Sequence, residues 1–133
     1  MLLIFSVGCI KKQAFLKKQL YESLLFDSNK WKEDSLGCGG YRKPFQDGDL
    51  IKDVEPMFAI NKFRELKFTE AEISLIFGKP NYIKQETDIG RVVWVYYMEY
   101  GHQCDTTNSI DATILCVYFN KKGRYLFHSM PHF

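Results

Sequence analysis

The sequence predicts an α+β fold in which two helices pack on a three-stranded antiparallel meander, preceded by an N-terminal helical arm. Three observations carry this prediction. A helix after Thr69 has both ends marked; two runs at 91–100 and 112–119 are rich in β-branched and aromatic residues; and Asn120-Lys121-Lys122-Gly123 reads as a tight turn into a third run at 124–128. At 133 residues, 46% hydrophobic and 16% aromatic, the chain has the length and apolar material for one core.

Taken in order, Phe15, Leu16, Leu20, Leu24 and Leu25 form a stripe at helical spacing over 11–26, which Asp27-Ser28-Asn29 ends. Residues 35–47, with Gly37, Gly39, Gly40 and Pro44, read as a linker between the arm and the domain. A second helical patch is expected over 49–55, halting near Pro56. After it, Thr69 can cap the free amides of a helix start, Glu72 can reach back to the Thr69 amide, and Phe68 can staple onto Ile73. Ile73, Ile76 and Phe77 share one face, Gly78 supplies the positive φ that ends a helix, and Pro80 prevents continuation. A helix of about two and a half turns is too short to stand alone in water, so it must dock on the strands that follow.

In those strands Trp94, Tyr96 and Met98 alternate with Val93, Val95 and Tyr97, and Leu115, Val117 and Phe119 alternate with Ile114, Cys116 and Tyr118. Both sheet faces are therefore apolar. Helices cover one; the N-terminal arm or a protein partner covers the other, with Val93, Val95, Tyr97 and Tyr118 as the expected contact residues.

Several function classes find no support in the sequence. The net charge of +2 comes from 18 basic and 16 acidic residues, interspersed, which makes no case for nucleic acid. Lys11, Lys12, Lys17 and Lys18 read as a solvated helix face. His102-x-Cys104-Asp105 and His128-x-x-x-His132 look like fragments of a metal site, but zinc takes four convergent ligands, and Pro131 breaks any helix that would align the second pair. Gly37-Cys38-Gly39-Gly40 lacks the Lys-Ser/Thr of a phosphate loop, and Cys104 with His102 lacks a visible third group to orient a nucleophile pair. No catalytic residue, metal or cofactor is assigned.

The order Leu66-x-x-Thr69-x-x-Glu72-Ile73, Phe77-Gly78-x-Pro80, Trp94-x-Tyr96 and Leu115-x-Val117-x-Phe119-x-x-x-Gly123 resembles the SmpA/OmlA (BamE-like) family of small outer-membrane lipoproteins, over the C-terminal half. It departs at Lys67, where the family carries Gly. The upstream Phe26-Asp27-Ser28, Trp31-Lys32 and Cys38-Gly39-Gly40-Tyr41-Arg42 are similar to an extension found in bacterial lipoproteins with this domain. The resemblance implies a two-helix, three-strand sandwich that binds an envelope protein partner and carries out no enzyme chemistry.

Met1-Leu2-Leu3-Ile4-Phe5-Ser6-Val7-Gly8-Cys9 resembles the end of a lipoprotein signal, with Cys9 the acylated residue. The alternative is a buried apolar segment with an ordinary thiol. On the lipoprotein reading, residues 1–9 are a partial signal peptide, 10–47 the arm and linker, and 48–133 the domain; no Asp follows Cys9, which favours the outer membrane over inner-membrane retention. Of the remaining cysteines, Cys38 and Cys104 lie in turn-like contexts and are the expected disulfide, while Cys116 sits mid-strand as a small buried thiol. Such a bridge limits the unfolded chain by about 4 kcal/mol in the chain-entropy account. The alternatives from other classes are a cytosolic protein with a Cys-dependent activity and an enzyme-inhibitor-like module. Labelling with a clickable fatty acid should mark the wild type and not Cys9→Ala; equal labelling of both refutes the lipid anchor.

Overall fold

Thr69 opens the helix that the sequence places after it. Its hydroxyl accepts the Glu72 amide at 3.3 Å while the Glu72 carboxylate accepts the Thr69 amide at 3.1 Å, a complete capping box. Gly78 closes the helix at φ 76° and donates its amide to Ser74 O at 2.8 Å. Ile73, Ile76 and Phe77 are all buried.

These elements come from a computed structural model that describes the backbone of residues 2–108 and 110–131 and the side chains of 11–108 and 110–131. The chain runs α1 (Leu2–Glu22), α2 (Ser28–Glu33), α3 (Pro56–Glu65), α4 (Glu70–Phe77), then β1 (Tyr82–Glu86), β2 (Arg91–Tyr97), β3 (Ile114–Phe119) and β4 (Tyr125–Ser129). It is an α+β fold whose strands form one antiparallel sheet in the order β1-β2-β3-β4.

The sheet has four strands rather than the expected three. β1 pairs with β2 from Tyr82↔Val95 to Glu86↔Arg91, and it lacks alternation because four of its five residues are exposed. An edge strand of this kind is defined by its partner, not by its own pattern. The helical patch expected over 49–55 is also absent. Leu50 and Ile51 are buried in an extended segment that Leu25 N→Leu50 O and Lys52 N→Ser23 O hold to the end of α1, with a bridge between Leu24 and Ile51. Pro56 begins a helix instead of ending one, because its missing N–H costs nothing in the first turn. Asp27 likewise starts a helix: its carboxylate accepts the amides of Asn29 and Lys30 at the start of α2.

The main core lies between the helices and one sheet face, where Trp94, Tyr96, Leu115, Val117 and Phe119 meet Phe63, Ile73, Ile76 and Phe77. Trp31, upstream of residue 47, belongs to the same core, edge-on to Phe77 at 5.2 Å and 4.7 Å from Phe26. Cys9 falls within α1, but its side chain lies outside the described residues.

Thr69→Ala removes the acceptor at the start of α4 and should lower stability by about 1 kcal/mol. The denaturant midpoint should drop with an unchanged slope; no drop would mean that the cap does not stabilise the native state.

Candidate functional site

Period-two alternation sends Val93, Val95 and Tyr97 of β2 and Ile114, Cys116 and Tyr118 of β3 to the sheet face opposite the helices. The register sets Val93 beside Tyr118, Val95 beside Cys116 and Tyr97 beside Ile114. Val93, Val95, Ile114 and Cys116 form a second, smaller apolar cluster, with Tyr97 and Tyr118 packed against it. Aromatic rings edge this face. Tyr82 lies 6.0 Å from Tyr97 and is 44% exposed, and Tyr118 stacks on Phe127 at 4.2 Å. Arg91 covers both of the latter rings, at 5.0 and 5.5 Å, while its guanidinium pairs with Glu86 at 2.9 Å.

Two of the four expected contact residues need correction. Val93 and Val95 are 3% and 2% exposed; neighbouring side chains bury them, so they shape the face and do not offer surface. Tyr97 and Tyr118 are half-buried, and with Tyr82 and Phe127 they supply the accessible part.

At the Tyr97 end the face runs into a groove of about 330 Å³ lined by Tyr82, Tyr97, His102, Gln103, Asp111 and Ile114. Its far wall is the loop after β2, which is tied down in several ways. Cys38 and Cys104 form a disulfide with Cα atoms 5.8 Å apart. Gln103 Nε2 donates to Leu36 O at 3.1 Å and Glu99 O at 2.7 Å, and Glu99 Oε1 accepts from both Thr113 N and Thr113 Oγ1. His102 Nδ1 donates to Asn108 O at 3.0 Å, since a carbonyl can only accept.

Four residues beyond Cys38 lies a buried arginine that the sequence pattern did not single out. Arg42 is 1% exposed. Its Nε donates to Trp31 O at 3.0 Å and its Nη1 to Tyr97 O at 3.1 Å, with the guanidinium 5.0 Å from the Trp31 ring and 5.9 Å from Tyr96. Burial pushes its pKa down to about 10, so it stays charged at neutral pH. Asp34 organises the same turn by accepting the amides of Gly39, Tyr41 and Arg42. Between them Gly37 has φ 70°, and a Cβ there would sit 2.6 Å from Tyr97 O, so the turn can rest on the end of β2 only with glycine.

The other chemistry-bearing fragments do not converge. Cys104 is consumed by the disulfide, so it provides no thiolate for His102 or for a metal. Cys116 is buried, which pushes its thiol pKa up. His128 is buried beside Phe63, with Nδ1 2.5 Å from the Tyr125 hydroxyl; its proposed companion His132 lies outside the described residues. Among the described residues no three His, Cys, Asp or Glu side chains are grouped to hold a metal ion. No family model matches the chain, and neither does any curated protein or solved structure.

Burial lowers the His128 pKa from 6.5 to about 4. The unfolded chain therefore takes up a proton below pH 6.5 that the folded state refuses until about pH 4, so stability present at neutral pH is lost as pH falls through that window. The melting temperature should decline from pH 6.5 towards 4.5, and His128→Gln should flatten the decline. An identical profile in the variant would remove His128 as its source.

Proposed function

We propose that this chain is a non-enzymatic binding module of the bacterial cell envelope, lipid-anchored through Cys9 at the periplasmic side of the outer membrane, with an envelope protein as its partner. The sheet face opposite the helices supports this reading: its apolar cluster is edged by Tyr82, Tyr97, Tyr118 and Phe127. Tyrosine and phenylalanine present large, rigid contact area at low entropic cost, and contiguous apolar surface edged by polar groups marks interaction sites. The Cys38–Cys104 bridge supports an oxidising compartment, where such bonds persist. The SmpA/OmlA resemblance supports the lipoprotein and binding roles together.

A cytosolic Cys-dependent enzyme draws less support. Cys104 is bonded, and Cys116 sits in an apolar environment that disfavours the thiolate.

Photocrosslinking in intact cells tests the proposal. A benzoylphenylalanine at Tyr82 should trap one envelope protein, and the same probe at Glu33, exposed on α2, should not. In protein isolated without reductant, peptide mapping should join 38 to 104. Equal adducts from both positions, no adduct from either, or free thiols at 38 and 104 would each overturn the assignment.

A further inference from the structure

Away from the aromatic face, the first turn after β3 and the last turn of α3 bring four cations to one groove. Tyr125 N donates to Phe68 O at 2.8 Å, Glu70 N donates to Gly123 O at 3.0 Å, and Thr69 bridges to Arg124, so residues 68–70 run antiparallel along the start of β4. This pairing sets Thr69 opposite Arg124, and Lys67, two residues before Thr69, and Arg64 at the end of α3 line the same groove. The resulting groove, about 400 Å³, is lined by Arg64, Lys67, Asn120, Lys122, Arg124 and Tyr125.

Its polar groups are almost all donors. Arg64 Nε donates to Leu126 O at 2.7 Å, which fixes the plane of the guanidinium, and its Nη groups have no hydrogen-bond partner among the described residues. Asn120 Oδ1 accepts the amides of Lys122 and Arg124 at 2.9 and 3.0 Å, so its Nδ2 is the group left for a ligand. The ion pairs among the described residues are Lys17–Glu72 and Arg91–Glu86; none of the four groove cations has a carboxylate within pairing distance. Glu70 borders the turn at Gly123 without reaching them. Lys122 at a turn tip and Arg64 near a helix C-terminus each have an ordinary structural reason, solvation and the helix dipole. Neither reason calls for gathering four like charges, which repel one another across a shared groove.

The geometry points to a binding site for a small, multiply charged oxyanion of the phosphate class. A preorganised Arg fork with flanking Lys and Arg suits tetrahedral oxyanions, and a ligand with two or more negative charges offsets the mutual repulsion that a single carboxylate would leave. The cluster is confined to one groove of a chain with a net charge of only +2, which favours a compact phosphorylated ligand over a nucleic acid strand. This site is independent of the aromatic face.

Calorimetric titration of the full chain with pyrophosphate tests the site. One saturable site is expected, weakening as salt is raised. Arg64→Gln with Arg124→Gln should lower affinity at least about tenfold, the scale of losing charge-assisted hydrogen bonds, while Lys84→Gln on β1 should leave it unchanged. Pyrophosphate should also raise the melting temperature of the wild type and not of the double variant, and it should shift the amide resonances of residues 120–124. Four results would overturn the inference: no pyrophosphate binding, an equal loss in Lys84→Gln, amide shifts elsewhere, or binding only to vesicles containing anionic lipid. If the double variant does not fold, Lys67→Gly, which suits the positive φ of 54° at that position, gives the same test with a smaller expected loss.

Discussion

Arg42 is the constraint on which the N-terminal half and the candidate site both depend. A guanidinium removed from water is costly unless its donors are satisfied. Here Trp31 O, Tyr97 O and Asn81 Oδ1 accept from it, and two aromatic faces flank it. Those carbonyls belong to α2 and to the end of β2, so satisfying one charge joins two distant stretches of chain. Asn81 extends the joint: its Oδ1 also accepts the Tyr97 amide and its Nδ2 donates to Ser35 O. Asp34 then shapes the turn from which Cys38 meets Cys104. The groove beside Tyr97 is thus walled by a loop whose position traces back to a buried arginine.

The sheet serves two purposes because its faces are treated differently. One is closed by α2, α3, α4 and the large residues beneath them. The other buries only a thin layer, Val93, Val95, Ile114 and Cys116, under rings and long side chains from its own strands. Its edges differ as well. Residues 68–70 pair along the start of β4 and Arg64 caps the Leu126 carbonyl, whereas among the described residues β1 has a strand neighbour on one side only. Lys84 in β1 is the type of residue that discourages an open edge from pairing with another chain.

The same pairing that covers β4 also creates the basic groove. Arg64, Lys67, Lys122 and Arg124 are spread over about sixty positions of a sequence whose basic and acidic residues are interspersed. The crossing of the segment between α3 and α4 with the β3–β4 turn turns that dispersed set into one locus, and a single hydrogen bond from Arg64 gives it a defined direction.

Elements whose signals are local were legible in the residues alone: the Thr69–Glu72 box, the stop at Gly78, the alternation along β2 and β3, and the Asn120–Gly123 turn, where Gly123 N donates to Asn120 O at 3.0 Å. Each depends on residues a few positions apart, so propensity and hydrogen bonding agree before any packing occurs. The sequence also indicated which cysteines sit in turns. Long-range contacts were needed for the rest: residues 82–86 form a strand although an exposed edge has no buried side to pattern; Leu50 and Ile51 are extended, and a turn follows at 52–53, because the segment bonds across to the chain just after α1; and Arg42 is buried because its acceptors lie as far as 55 residues away. The aromatic face was half legible. Alternation predicts which residues point outward, but how far each is exposed is set by the rings of neighbouring strands, and that is why Val93 and Val95 lie beneath the surface while Tyr82, absent from the sequence reading, stands above it.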